Sequence, residues 1–176
     1  MASRRTPSRR RLAHPPEYRP QLATLVDTAP DDEGWLHEVK FDGFRMGLAI
    51  EASGARLLTR AGHDWSSRFP DVIAAARALP LRDALLDGEV AWQLPDGRTS
   101  FQALQNAGAH PGALRYFVFD LLWLDGEDLS SQPLDARKRR LEALLVDAPK
   151  SLRYSTHVVG HGARVHAEAC AARLEG

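Results

Sequence analysis

The stretch 38–45, EVKFDGFR, contains a lysine whose chemistry differs from that of most basic residues in the chain. Of the 23 basic residues, twenty are arginines and three are lysines, namely Lys40, Lys138 and Lys150. A guanidinium stays protonated in proteins, whereas a lysine amine can be tuned into a nucleophile. Lys40 is therefore a candidate nucleophile. The structural alternative is an ion pair beside a solvated hairpin turn.

Two further segments combine carboxylates with features that are typical of ligand sites. The segment 85–90, LLDGEV, places Asp87 and Glu89 around a glycine inside a strand pattern, and such a glycine often marks a close approach by a ligand or another backbone. The segment 116–121, YFVFDL, places Phe117 and Phe119 in an apolar strand pattern that ends at an acid. Taken singly, each segment is also explained by core packing followed by a strand-end charge.

The rest of the chain predicts the elements that must position these residues. Strands are predicted over 35–41, 44–50, 55–59, 84–93, 114–124 and 152–159, and helices over 71–79, 100–107, 135–146 and 163–174. We expect Asp42-Gly43 to form a hairpin turn between the first two strands, with Glu38 and Lys40 on one strand face. The order lacks a regular βαβ alternation, which favours an α+β fold with antiparallel β-sheets flanked by helices.

The composition bounds the function classes. A chain of 176 residues with 44% hydrophobic and 26% charged residues is typical of one globular domain, alone or with a tail. The single cysteine, Cys170, excludes an internal disulfide framework, and no apolar run approaches the length of a membrane span. The sequence contains no GxxxxGK[ST], GxGxxG or GxSxG motif, which leaves P-loop, Rossmann and serine-hydrolase sites without support.

The N-terminal segment 1–20 is basic and rich in arginine, serine and proline. Residues 1–30 carry a net charge of +4 and the remainder carries −4. We predict that residues 1–20 form a disordered tail or linker and that residues 21–176 form the domain. A basic arm that contacts phosphates and an organellar transit peptide are the alternatives.

In order and spacing, the segments EVKFDGFR, LLTRAGHDWSSRFP, LLDGEV and FVFDLLWLDGEDL form a motif series. The chain resembles the ATP-dependent DNA ligases, and the likeness is closest to the ligase module of the bacterial multifunctional end-joining ligases. It covers residues ~17–176. The resemblance implies an ATP-grasp-like covalent nucleotidyltransferase (adenylation) domain. The family reaction adenylylates a lysine, transfers AMP to a DNA 5′-phosphate, and seals the nick by attack of the 3′-hydroxyl.

The resemblance also implies roles for individual residues. Lys40 would attack the α-phosphate of ATP, once neighbouring cations and partial desolvation had favoured its neutral amine. Glu38 would lie near the adenine edge, and Arg45 would orient the ribose or a phosphate.

Three more residues bind the nucleotide in the family pattern. Arg60, in LLTR, is associated with the nucleotide sugar and the DNA 5′-phosphate, with a surface arginine as the alternative. Glu89 would contact the ribose hydroxyl or organise a metal ion. Phe119 would stack on adenine, a role that Phe117 could also fill.

The cofactors and partners follow from the same resemblance. ATP would be the substrate, with Mg²⁺ or Mn²⁺ as the metal ion, and nicked or broken duplex DNA would be the partner. Polymerase or nuclease modules and end-binding proteins of bacterial end joining are further candidate partners, and the bacterial cytoplasm, at the nucleoid, is the expected location. An RNA ligase, a capping-type enzyme and a non-catalytic nucleotide- or DNA-binding remnant are the alternative functions.

The closing residues Leu174-Glu175-Gly176 look like the opening of the next family motif, which continues to phosphate-gripping lysines and an OB-fold domain. We therefore expect an incomplete adenylation domain without the OB-fold domain. Residues 1–176 alone are expected to seal nicks poorly.

Overall fold

The structure is a computed structural model that describes residue 15 and residues 17–106 and 111–174. Most of the predicted tail and the closing Glu175-Gly176 lie outside these residues. The strands are β1 (Leu36–Glu38), β2 (Gly43–Glu51), β3 (Gly54–Thr59), β4 (Ala84–Gln93), β5 (Ala113–Leu124), β6 (Glu127–Asp128), β7 (Leu152–Tyr154) and β8 (His157–Val159). The α-helices are α1 (Pro70–Arg77), α2 (Phe101–Gln105), α3 (Leu134–Leu145) and α4 (Gly162–Ala171). The predicted α+β class is confirmed.

One large sheet organises the molecule. Its strand order is β3-β2-β4-β5-β6, with antiparallel neighbours, and β7 adds to β5 in the parallel direction. β1 and β8 form a separate antiparallel pair. Helices α1 and α3 cover one face of the large sheet, and the main core of buried apolar residues lies between that face and the helices.

Tyr116 explains the glycine of the LLDGEV segment. Its ring is buried on the helix-covered face, and its hydroxyl donates hydrogen bonds to the Met46 and Leu86 carbonyl oxygens at 2.8 and 3.3 Å. A Cβ at Gly88 would come within 2.5 Å of the Phe117 carbonyl oxygen and 2.7 Å of the Tyr116 ring. The close approach at Gly88 is therefore made by a neighbouring strand, because the tyrosine ring fills the space.

The opposite face of the sheet carries a smaller cluster. Tyr18, Ala49, Leu85 and Trp123 pack together there, and the Tyr18 ring lies over Gly47, where a Cβ would approach it to 2.5 Å. Tyr18 falls within the segment predicted as tail, yet it is buried. Residues 1–14 and 16 lie outside the described part of the chain, so the boundary at residue 20 stays a prediction.

The predicted hairpin at Asp42-Gly43 is wrong. β1 ends at Glu38 and pairs with β8, with Glu38 opposite His157, so Lys40 lies in the loop 39–42 and shares no strand face with Glu38. Asp42 makes a loop contact instead of a turn: its N–H donates to Thr99 Oγ1 at 2.9 Å and its carboxylate accepts from the Phe101 N–H at 2.8 Å. Gly43 already belongs to β2 and packs against the Val90 carbonyl.

The predicted last strand, 152–159, is also wrong as a single element. Its two ends enter different sheets: β7 pairs with β5, and β8 pairs with β1. Ser155 separates the two strands, and its N–H donates to the Val118 carbonyl at 2.8 Å. Within the described ranges, no helix is long and apolar enough to cross a membrane.

Candidate functional site

The sheet face opposite the main core carries several of the predicted site residues. Arg45 on β2 lies opposite Glu89 on β4, and Glu89 lies opposite Phe117 on β5. Directly opposed residues on neighbouring strands project to the same side. The segments EVKFDGFR, LLDGEV and YFVFDL therefore each contribute a residue to one row across three adjacent strands.

Asp87 anchors the arginine of this row. The Arg45 guanidinium donates to both Asp87 carboxylate oxygens, at 3.3 and 2.8 Å, and its Nη1 donates to the Gln21 carbonyl at 2.6 Å. The Tyr18 hydroxyl donates to Asp87 Oδ1 at 2.7 Å. Burial, followed by the charge of Asp87, raises the pKa of Tyr18, which keeps the hydroxyl a donor. The bidentate pair holds the Arg45 side chain in one orientation on the site face.

Lys40 lies close enough to Glu89 for the two charges to interact. Burial raises the pKa of the Glu89 carboxyl to about 7, and the positive charges of Lys40 and Arg45 and a backbone hydrogen bond from Gly43 act in the opposite direction. Glu89 is thus a carboxyl group that changes charge near neutral pH. It lies opposite Arg45 on the neighbouring strand and within electrostatic range of Lys40.

The stability of the protein should depend on pH through the Glu89 carboxyl group. The pKa of Glu89 is about 7 in the folded protein, compared with 4.5 for an ordinary glutamate in the unfolded chain. Between these pH values the folded state binds a proton that the unfolded state has lost. The free energy of unfolding therefore falls as pH rises from about 4.5 to about 7. Glu89→Gln removes this penalty and should be more stable than wild type at pH 8 by about 1–2 kcal/mol, after a discount for partial exposure. Urea unfolding at pH 4.5 and pH 8 measures it. A wild-type-to-variant difference that is equal at the two pH values would contradict the prediction.

The structure places Phe117 and Phe119 in different surroundings. Phe117 is buried and stacks on Phe41, with ring centroids 4.0 Å apart and planes at 10°. Phe119 has no directly opposed residue on β4, because the register shifts between Asp87 and Gly88. Its ring lies 5.3 Å from the Arg45 guanidinium carbon and is half-buried. Of these two rings, Phe119 lines the cavity described below and Phe117 does not.

Glu38 is held by a buried lysine. Lys138 Nζ on α3 donates to Glu38 Oε1 at 2.6 Å, to the Phe119 carbonyl at 3.1 Å and to the Ser155 carbonyl at 3.3 Å. Three acceptors match the three N–H groups of an ammonium. Glu38 is thereby connected to the strand that carries Phe119.

A cavity of about 270 Å³ lies beside Arg45, between β1, β5, α3 and the segment before β1. Its volume is just below the range of ~300–1,000 Å³ that is typical of small-molecule sites, so it matches part of a nucleotide better than a whole one. It is lined by Arg19, Gln21, Glu38, Arg45, Asp87, Phe119, Asp120, Leu122, Ser130, Leu134 and Arg137.

The predicted site residues thus form one group with one outlying member. Glu38, Arg45 and Phe119 line the cavity. Glu89 lies opposite Arg45 on the neighbouring strand, and Lys40 is within electrostatic range of Glu89. Arg60 is exposed in the turn after β3 and does not line this cavity.

Sequence reasoning missed three supporting residues, namely Asp87 as the anchor of Arg45, Tyr18 and Lys138. Lys138 carried a signal, since it is one of only three lysines.

Glu89 is the candidate carboxylate ligand for a divalent ion at this site. Among the described residues, no group of three or more histidine, cysteine, aspartate or glutamate side chains could hold a metal ion. Asp87 is engaged by Arg45 and Tyr18. Mg²⁺ keeps several waters and is often bound by one or two carboxylates together with substrate phosphates, so Glu89 alone is compatible with an ion that arrives on a nucleotide.

Comparison with known proteins shows the family of the chain. A family model described as the ATP dependent DNA ligase domain matches residues 20–176. The chain is 43% identical over 161 residues to the multifunctional non-homologous end joining protein LigD of Pseudomonas aeruginosa, a match that covers 89% of this chain and 19% of that protein.

Two solved structures are similar along most of the chain. They are mycobacterial DNA ligase D complexed with ATP and MES, and the ligase domain of Mycobacterium tuberculosis LigD. Each has a TM-score of 0.79 and 31% identity and covers 90% of this chain, with 52% and 51% of the respective solved chain. The chain thus spans about a fifth of the length of the Pseudomonas relative and about half of these solved chains. With the ligase-domain model matched from residue 20 to residue 176, the chain belongs to the family of ATP-dependent DNA ligase domains.

Proposed function

We propose that this chain is the nucleotide-binding part of a DNA ligase adenylation domain, and that Lys40 becomes covalently linked to AMP. The observation that carries the proposal is the convergence of Lys40, Arg45, Glu89 and Phe119 around one sheet face, although the sequence separates them by up to 79 positions. Binding sites assembled from several strands in this way place a nucleophile and phosphate-orienting cations together.

The chemistry assigned to Lys40 is attack of its neutral amine on the α-phosphorus of ATP. A nitrogen–phosphorus bond forms, the bond from the α-phosphorus to the bridging oxygen breaks, pyrophosphate leaves, and the nitrogen releases one proton to water. Arg45 orients a phosphate or the ribose, because its guanidinium is already fixed by Asp87. Phosphoryl transfer of this kind depends mainly on positioning and charge neutralisation.

The base and the metal ion are assigned to the remaining residues. Phe119 stacks on adenine, and Glu38 accepts a hydrogen bond from its exocyclic amino group. Glu89 contacts the ribose hydroxyl or a divalent ion, Mg²⁺ or Mn²⁺, that neutralises phosphate charge. Arg60, exposed beyond β3, contacts the nucleotide sugar or the 5′-phosphate of nicked or broken duplex DNA.

The biological setting is proposed from the relatives. The Pseudomonas relative is named as a non-homologous end joining protein. We propose that this chain acts in the same kind of repair, at the nucleoid of a bacterial cytoplasm, together with polymerase or nuclease modules or end-binding proteins.

Incubation of the protein with α-³²P-labelled ATP and Mg²⁺ tests the proposal. The expected result is acid-labile label on the protein and a mass increase of one AMP on a peptide that contains Lys40. Unlabelled ATP should compete better than GTP, which separates the proposal from a GTP-using capping enzyme. Binding of ATP without covalent label would favour a non-catalytic remnant, and label on another residue would overturn the assignment of Lys40.

A further inference from the structure

Lys138 is a buried lysine with an unusual set of neighbours. Its side chain is 0% exposed, and its ammonium forms a 2.6 Å ion pair with Glu38, a carboxylate that lines the cavity. A buried charge needs partners for all its donors, and Lys138 has three acceptors together with the Tyr154 ring at 5.1 Å. This is a complete polar site built around one nitrogen.

The partners of Lys138 come from three separate parts of the chain. Glu38 ends β1, Phe119 belongs to β5, and Ser155 follows β7, while Lys138 itself is on α3. Two of these partners, Glu38 and Phe119, line the cavity. One ammonium group therefore sets the distance between the carboxylate and the strand that presents the aromatic ring.

The geometry leaves one oxygen of Glu38 for a ligand. Oε1 accepts from Lys138, and Oε2 accepts no hydrogen bond from the described residues. The Glu38 side chain is 25% exposed and borders the cavity, so Oε2 can accept from an amino group that enters there. Adenine presents an amino group at its C6 edge. Guanine presents a carbonyl oxygen at that position, which would face the carboxylate lone pairs.

We propose that Lys138 is a positioning residue for nucleotide selection, which holds Glu38 at the distance from Phe119 that favours adenine over guanine. This inference rests on the proposed function, in which Glu38 and Phe119 bind the base. A lysine suits the role, because the three acceptors surround a single nitrogen and match the three N–H groups of an ammonium. Lys138 contacts no reacting atom.

The ratio of ATP to GTP use measures this role. In self-adenylylation, Lys138→Met should raise the half-saturating ATP concentration about tenfold, with the rate at saturating ATP changed less than threefold, and should lower the ATP:GTP preference about tenfold. The ratio is taken within one sample, so it is independent of how much of the protein is folded. Glu38→Gln should lower the preference similarly, and the double variant should be no worse than either single variant, because both changes remove one interaction.

A matched control separates positioning from stability. Leu141 lies one turn from Lys138 on α3 and is also 0% exposed. Leu141→Ala should lower the melting temperature and leave the ATP:GTP ratio unchanged. An unchanged ratio in Lys138→Met, or a ratio that falls equally in Leu141→Ala, would overturn the proposal.

The outcome also distinguishes this inference from the proposed function. If wild type becomes labelled and Lys138→Met keeps the wild-type ratio, the role of Lys138 is wrong and the proposed function stands. If wild type does not become labelled, equilibrium binding of ATP and GTP by calorimetry gives the ratio instead. If wild type binds neither nucleotide, both proposals fail.

Discussion

Replacing Lys40 by arginine is expected to abolish covalent transfer of AMP to the protein, with a loss of at least about 10³-fold relative to wild type. The substitution keeps a positive charge beside Glu89, so the electrostatics of the folded site are largely preserved. It removes the nucleophile, because a guanidinium does not lose its proton in proteins. The measurement is the amount of ³²P-AMP on the protein after incubation with labelled ATP and Mg²⁺.

The other lysines provide the control. Lys150 is exposed at the end of the loop after α3, and Lys150→Arg should become labelled like wild type. Thermal unfolding should show that Lys40→Arg is folded, and calorimetry should show that it still binds ATP within about tenfold of the wild-type affinity. Label that persists in Lys40→Arg would mean that another group accepts AMP.

Replacing Arg45 by methionine should destabilise the protein and also weaken nucleotide binding. Asp87 is 4% exposed and its carboxylate is paired with the Arg45 guanidinium, which is 32% exposed. Without this partner the buried carboxylate keeps only the Tyr18 hydroxyl as a side-chain donor among the described residues. Removal of one member of a buried pair leaves an uncompensated charge, and we expect a loss of about 2–4 kcal/mol in the free energy of unfolding.

An exposed ion pair on the same sheet makes a suitable comparison. Arg56 on β3 pairs with Glu51 at 3.0 Å, and the arginine side chain is 50% exposed. Arg56→Met should therefore cost less than about 1 kcal/mol and leave ATP binding unchanged. Equal costs for Arg45→Met and Arg56→Met in urea unfolding would show that the Arg45–Asp87 pair is not a structural anchor.

The sequence determined the elements whose signals are local and long. The predicted strands 84–93 and 114–124 correspond to β4 and β5. The second is a long run of bulky apolar and aromatic residues, a composition that favours extended chain. The predicted helix 135–146 corresponds to α3, because its apolar positions recur at helical spacing. The short motifs also pointed to the ligase family, because each motif is a local pattern of residue types that can be recognised without knowing the fold.

Tertiary structure alone decided which residues meet. Asp42-Gly43 has the composition of a hairpin turn, but β1 pairs with β8, so that Glu38 lies opposite His157. The register shift beside Phe119, which gives it surroundings different from those of Phe117, depends on how β5 aligns with β4.

Lys138 and Glu38 are 100 positions apart, and their ion pair forms because α3 packs across the end of β1 and β5. Residue types encode local conformation, whereas contacts between distant segments depend on sheet register and on packing over the whole domain. The sequence therefore indicated the candidate nucleophile and most of the element types, and the fold decided which charges hold the candidate nucleotide-binding residues in place.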